Sequence, residues 1–377
     1  MLQNYDFLYL TIRYFFVSLQ FIYCKHMKKF FRFILLIVNL VFAVAMLLST
    51  LSGTLTPSHF AWISILSYGY FILLLSNVLF VIIWLCMGRW EFLVSVVAIV
   101  LRFSFVGLFF QVGGCRGVEA ADDNMKVLSF NTHGFNGLDS DTLMTADSGA
   151  MLFLHILDEE QPDVLCLQEF FPPSRFGIVD SFEVRGYKYF YGCKGNTSYS
   201  PAIIFSRCPI VGVHNMDERS KFNIDIEKNG KIIKMCCVHL DSYNLDEEDR
   251  EGLERLSRVQ MDSSTHRMFG KLAETTRQHE SEWKEELLPM VEKSRTPVII
   301  AGDFNDTPAS YIYHQAKKLL VDSYVEQGIG FGTTYHGPYP AYRIDYILHS
   351  PQLEALSYKR IKTNISDHYP IVVQVKI

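Results

Sequence analysis

Paired cysteine is missing from this chain. None of its eight cysteines stands in a CxxC pair or at a spacing that suits a metal. That excludes a zinc ribbon or finger and leaves no disulfide framework to build on. Cys166 and the adjacent Cys236 and Cys237 lie in apolar runs and are expected to be buried free thiols. Acidic residues are almost absent from the first 116 positions, which hold eight Lys/Arg but only Asp6 and Glu91. An excess of basic residues is absent from the rest. Residues 117–377 carry 27 basic against 38 acidic side chains, a balance of −11. Such a domain is poorly suited to tight duplex-DNA binding, which leans on Lys and Arg against phosphates. It remains compatible with a metal-dependent enzyme that acts on phosphate esters.

What the first third has is apolar sequence. Residues 33–51, 59–87 and 92–112 are three long hydrophobic runs without a polar face. Each is about 20 residues or longer, enough for a helix to cross a bilayer. Arg102 lies inside the third run and either snorkels or faces a neighbouring helix. A weaker run at 7–24 carries Arg13. It reads either as an extra span or as sequence upstream of a start at Met27. A cleaved signal peptide is not expected, because further spans follow. Lys25, Lys28, Lys29 and Arg32 precede the first strong span and place that end in the cytoplasm. Three spans then deliver the remainder to the other side. The expected organisation is a membrane region over 1–116, a short polar linker over 117–125, and a globular domain over 126–377.

The globular part is organised around 297–306, PVIIAGDFND. Val298 to Ala301 reads as a buried strand, because the run is short, continuous and bounded by proline. Gly302 is expected to let the backbone turn. Asp303 and Asn305, two apart, point the same way if extended geometry persists. By itself the cluster reads either as an Asx-type turn or as a site. Other strands are expected over 127–130, 163–167, 202–205, 231–240, 342–348 and 366–375. A helix is expected over 149–160, with Met151, Leu152, Leu154, His155 and Ile156 inward. Alternating strand and helix signals indicate an α/β sandwich.

Several of these strands end in, or carry near one end, a side chain suited to metal or phosphate: Asn131, Glu169, His239, Asp241, Asp303, Asn305, Asp345, Asp367 and His368. The set is oxygen-rich with two histidines. Hard oxygen ligands suit Mg2+ or Mn2+ better than zinc. Glu169 is the best single ligand. Attack of water on a phosphorus ester fits this chemistry.

The motifs LSFNTHG (128–134), LQE (167–169), YSPAIIFSRCPI (199–210), VHLDS (238–242), GDFND (302–306), RIDYIL (343–348) and SDHYPI (366–371) occur in order over 126–377. In this the chain resembles the endonuclease/exonuclease/phosphatase superfamily. The resemblance implies two packed mixed β-sheets flanked by helices, a four-layer α/β sandwich, here preceded by about three transmembrane helices. It implies that Glu169 holds the divalent cation with Asn131 and Asp367 near it. Asp303 would orient or activate the water, Asn305 and His239 would contact the scissile phosphate, and His368, paired with Asp345, would face that phosphate. Tyr199 matches a tyrosine some members use near the phosphate, although Pro201 stands where a glycine is usual.

The resulting expectation is a Mg2+- or Mn2+-dependent hydrolase, a phosphodiesterase, nuclease or phosphatase, anchored in a bacterial inner membrane with its domain on the extracytoplasmic side. Its substrate would be nucleic acid, a phospholipid head group or a small phosphate ester. The alternative is a non-catalytic binding or scaffold domain on the same fold. Residues 243–296 form an insertion. Its charged first half reads as a solvated helical face, the sharper option being a lid. Trp283, Leu287, Leu288 and Val291 read as a helix packed on a sheet.

Overall fold

A computed structural model describes residues 28–114, 123–137, 145–173, 177–192, 200–217, 220–246, 248–249, 251–252, 263–337 and 341–377. Tyr199, the run at 7–24 and most of the 117–125 linker lie outside these residues. The chain divides into two compact units, Met1–Leu48 with Gly69–Phe103, and Ser49–Tyr68 with Ser104–Ile377. Part of the apolar first third therefore groups with the sheet-bearing unit.

In the first unit, α1 spans Lys28–Ser49, α3 Tyr70–Cys86 and α4 Phe92–Leu101. Asn39, Asn77, Trp84 and Ser95 of this unit are buried. Trp84 Nε1 donates to Asn39 Oδ1 (2.9 Å), Asn39 Nδ2 donates to Ser95 Oγ (2.6 Å), and Ser95 Oγ donates to Asn77 Oδ1 (2.8 Å). Ile72, Leu79, Ile82 and Val97 point outward instead. Among the described residues, only α1 is a single helix long and apolar enough to cross a membrane; the count rises to three if α2 (Pro57–Tyr68) with α3, and α4 with α5 (Phe103–Phe109), each form one broken span. The breaks fall at Gly69 and at Arg102, so Arg102 sits at an interruption of its run and not inside a continuous helix.

Among the described residues, the second unit holds two six-stranded sheets and one two-stranded sheet. The strands, in chain order, are β1 Phe110–Gln111, β2 Asn124–Asn131, β3 Val164–Phe170, β4 Tyr189–Gly192, β5 Ser200–Ser206, β6 Ile210–Asp217, β7 Lys221–Lys228, β8 Lys231–His239, β9 Val298–Asp303, β10 Val321–Asp322, β11 Gly330–Phe331, β12 Asp345–His349, β13 Glu354–Arg360 and β14 Ile371–Lys376. One six-stranded sheet runs β13-β14-β2-β3-β5-β4 and the other β10-β12-β9-β8-β7-β6. β2–β3 and β8–β9 pair in parallel and the other neighbours antiparallel, so both sheets are mixed. Their facing sides share one core, in which Val127, Cys166 and Ile204 of the first sheet meet Ile224, Cys237, Ile299 and Ile347 of the second. Every residue of β9 is buried, as its uninterrupted apolar run requires. Cys166, Cys236 and Cys237 are buried free thiols.

Helix α6 (Ala146–Glu160) is capped by Thr145 Oγ1 accepting from Ser148 N and, with α7 (Ile178–Val184), covers the outer face of the first sheet. Its buried stripe is Ala150, Phe153, Leu154 and Leu157, joined by Ile156. Met151, Leu152 and His155 face outward, against expectation, because the i, i+3, i+4, i+7 stripe is set by Phe153 and its neighbours. On the second sheet, Tyr313 of α10 (Tyr311–Ala316) packs on Tyr346 of β12 at 5.2 Å. The insertion forms α8 (Ser263–Ser281), a π-helical turn Glu282–Leu287, and α9 (Leu288–Lys293). Trp283 and Leu287 are buried as expected, whereas Leu288 and Val291 are only half-buried. The wider π turn rotates the residues that follow it off the buried face.

Candidate active site

Sheet register assembles the site. In the second sheet Asp303, the last residue of β9, lies opposite both His239 on β8 and Asp345 on β12. In the first sheet, parallel pairing sets Asn131, at the end of β2, against Gln168, the residue before Glu169. The ends of β2, β3, β8 and β9 thus converge. His368 arrives on the loop before β14, where it bridges to Tyr335.

Gly302 is part of β9 and not a turn. With φ +149° it lies where any Cβ would strike the Val238 carbonyl of β8, so glycine is required by close approach of the two strands. The turn comes two residues later. Asn305 adopts φ +49°, its N–H donates to Asp303 Oδ1 (2.8 Å), and its Nδ2 donates to Leu240 O (2.9 Å). The proximity of Asp303 and Asn305 therefore comes from a left-handed Asx turn, not from continued extension. Glu169 (φ +46°) and His133 (φ +43°) are also left-handed without being glycine. Such conformations cost about 1–3 kcal/mol each and concentrate at functional sites.

Asp303 is buried to 1% exposure. Its Oδ2 accepts from Asn131 Nδ2 (3.0 Å) and stands 3.8 Å from His368 Nε2 and 4.0 Å from His239 Nε2. His368 Nδ1 meets Asp345 Oδ2 at 2.9 Å. Burial opposes charging of His368, but the carboxylates of Asp345 and Asp303 outweigh it and raise its pKa. Two carboxyls share one imidazolium. Asp345 holds the hydrogen bond, while burial and the Asp345 charge together raise the pKa of Asp303. Glu169 shows the reverse balance. Burial works against its ionised form, yet the hydrogen bond with His133 (3.2 Å), the His239 charge and the hydrogen bond from Asn131 (3.3 Å) pull its carboxyl down to about 2.

These groups open on one cavity of about 620 Å3, whose lining includes Asn131, His133, Glu169, Asp303, Asn305, Asp367 and His368. His239 and Asp345 stand behind it: His239 Nε2 lies 3.5 Å from Glu169 Oε1, and Asp345 backs His368. Asp241 is exposed, and its carbonyl oxygen lies 2.9 Å from His279 Nε2. His133 was not among the expected site residues, although it stands in the LSFNTHG motif two residues after Asn131. Asp306 is not the simple turn residue its position suggests. It is buried, meets His279 Nδ1 at 3.1 Å and accepts from Tyr68 OH at 2.6 Å. No sequence pattern links those three.

The donor set fits a hard divalent cation. Carboxylate and amide oxygens dominate, Glu169 is ionised and reaches the cavity, and the buried Asp345 Oδ1 has no hydrogen-bond partner. Asp303, Asp345 and His368 also offer ligand atoms within 4.8 Å of one another. His368 Nδ1 and Asp345 Oδ2 are already bonded to each other, whereas Glu169, Asn131 and Asp367 line the cavity, Asn131 Oδ1 there also accepting from His133 N at 3.1 Å.

The sequence model of the Endonuclease/Exonuclease/phosphatase family matches residues 128–368. A second model, a domain of unknown function (DUF8431), matches residues 29–109. No curated protein matches the chain. Among solved structures, the endonuclease/exonuclease/phosphatase from Beutenbergia cavernae DSM 12333 is 16% identical, covers 67% of this chain and 72% of its own, with a TM-score of 0.47. The corresponding figures are 17%, 67%, 100% and 0.42 for a family protein from Leptotrichia buccalis C-1013-b. They are 18%, 67%, 99% and 0.44 for D. rerio TDP2 complexed with single-strand DNA product.

Proposed function

This chain belongs to the Endonuclease/Exonuclease/phosphatase family, whose members hydrolyse phosphoester bonds, and from that premise we propose that it is a divalent-metal-dependent phosphoesterase anchored in a membrane. The observation that carries the reading is the convergence of Asp303, Asn131, Glu169 and the His368–Asp345 pair on one cavity.

In this reading Asp303 handles the attacking water. Each of its oxygens accepts one protein N–H and keeps a lone pair. Its raised pKa brings a carboxylate closer to a useful general base. His368, kept protonated by Asp345, presents Nε2 within 3.8 Å of Asp303 and faces the charge that develops on phosphorus-bound oxygen. Asn305 keeps one amide N–H beyond its bond to Leu240 O and offers it to the phosphate. His239 acts on the phosphate side from behind Glu169. A Mg2+ or Mn2+ ion held by Glu169 with Asn131 and Asp367 would neutralise charge on a phosphate oxygen.

Membrane anchoring is supported by the 22 apolar-rich residues of α1 and by the inward polar, outward apolar pattern of the first unit. The basic cluster at the start of α1 supports a cytoplasmic start and an extracytoplasmic catalytic domain. Hydrolysis of bis-p-nitrophenyl phosphate, dependent on Mg2+ or Mn2+ and lost in Asp303→Ala, is expected. Equal inertness of both proteins on diester, monoester, DNA, RNA and phospholipid would remove the enzyme reading. Protease added outside cells with a permeabilised outer barrier should cut the second unit; full protection reverses the orientation.

A further inference from the structure

The lining of the cavity divides by chemistry. One part carries the polar groups described above. The other part includes Tyr68, Tyr243, Tyr342, Leu245, Met268 and Leu272, with Ser242 and Asn244 beside Tyr243. These form a continuous wall. Tyr68 meets Tyr243 edge-on at 5.6 Å and Tyr342 at 6.0 Å. Met268 and Leu272 are one turn apart on α8, and Leu272 packs with Ala61 and Ile65 of α2, the helix that ends in Tyr68.

The wall presents carbon. The Tyr68 hydroxyl donates to Asp306 Oδ1 at 2.6 Å and is hydrogen-bonded to the Tyr243 hydroxyl; the Tyr342 hydroxyl donates to Tyr68 O at 3.3 Å. His279, buried at 1% exposure, holds Asp306 from the other side. All three phenols are thus spent on internal bonds. Among the described residues, no Lys or Arg lines the cavity. A polynucleotide would bring neighbouring phosphates that need such cations. Tyr68 also lies outside the family-matched residues 128–368, in a segment between two apolar helices whose Phe60 and Trp62 are exposed. Large rings of that kind suit a bilayer–water interface.

We propose that the Tyr68–Tyr243–Leu272 wall is a substrate subsite for the uncharged apolar arm of a phosphate ester, the alkyl- or acyl-bearing part of a lipid. The inference rests on the phosphoesterase reading and names its substrate class. Water adds to phosphorus, the bond from phosphorus to the leaving oxygen breaks, and the apolar arm stays on the wall as part of one product.

The test uses the full chain in phosphatidylcholine nanodiscs with Mg2+ or Mn2+. Methyl, octyl and thymidine 5′ esters of p-nitrophenyl phosphate are supplied below micelle-forming concentration. In each, water displaces nitrophenolate and leaves the methyl, octyl or thymidine phosphate. The octyl ester is expected to exceed the methyl ester in kcat/KM by about tenfold or more, chiefly through KM, and to exceed the thymidine ester. Tyr68→Ala and Leu272→Ala should each cut the octyl-to-methyl ratio by about fivefold or more. The ratio is taken within one preparation, so loss of folded protein cancels. A wild-type ratio near one, a ratio unaltered in both variants, or preference for the thymidine ester overturns the subsite. Hydrolysis of none of the three esters by a preparation that still cleaves a monoester, DNA or RNA also overturns the subsite, whereas inertness on all of these substrates overturns the phosphoesterase reading itself, which separates the two failures.

Discussion

Gly302→Ala tests how the site is assembled. A Cβ at this position would overlap the Val238 carbonyl oxygen and sit 2.9 Å from its carbon. An ordinary carbon–carbon contact is roughly 3.5 Å, so β9 must retreat from β8 by at least roughly 0.6 Å, and further to clear the oxygen. Nothing flexible can give way, because the obstacle is backbone in the neighbouring parallel strand. The positive φ adds strain for any L side chain. Overpacking of this severity costs about 3 kcal/mol. For a domain of this size that is a fall in unfolding midpoint of roughly 6–12 °C. The displacement lies one residue before Asp303 and opposite the residue before His239, so it shifts both against the first sheet. A misplacement of that order costs roughly a hundredfold in rate. The assays are thermal unfolding at a fixed scan rate and diester hydrolysis on the same preparation. A variant within about 1 °C of wild type and equally active would refute the close-approach account.

Further outcomes follow from single contacts. Asp345→Asn keeps a hydrogen-bonding group at His368 Nδ1 but removes the charge that holds the imidazolium, so kcat should fall by about 10²–10⁴ with a smaller change in KM; an unchanged kcat removes the orienting role. Chelation by EDTA should abolish activity, and added Mn2+ should raise the unfolding midpoint of wild type but not of Glu169→Gln; an equal rise in both excludes Glu169 as a ligand. His314 is half-buried, and burial, then the charges of Lys317 and Lys318, lower its pKa to about 4. The unfolded pKa, about 6.5, is the higher of the two, so the unfolded state binds the proton first. Its contribution to stability is present above pH 6.5 and is lost as pH falls towards 4. His314→Leu should flatten that window in a thermal-unfolding pH series; an undiminished acid loss assigns it to other groups.

How much of this was legible differs by residue. The strand ends bearing Asn131, Glu169, His239 and Asp303 were visible, because a buried strand is a short apolar run and its polar terminus interrupts it abruptly. The boundaries of β12 and β14 were less visible. Tyr342 to Ile344 and Ser366 to Pro370 resemble strand sequence but are loops, and those loops set Tyr342 and His368 at the cavity. Helix α6 was expected near its place, yet three of the five residues assigned inward face out. Competing apolar stripes on one helix are resolved only by the sheet they pack on.

The sequence by itself determined the composition of the two parts, the α/β class and most of the site's chemical inventory. Apolar run length, charge balance and strand-end polarity are local properties of the chain. Tertiary structure alone decided which groups share charge and which side chains line the cavity. Asp303 and Asp345 compete for one His368 imidazolium only because β9 and β12 are paired in register. Asp306, silent in the sequence, joins His279 and Tyr68 across 27 and 238 residues of chain. Such contacts depend on distance in space, and sequence separation carries no trace of it.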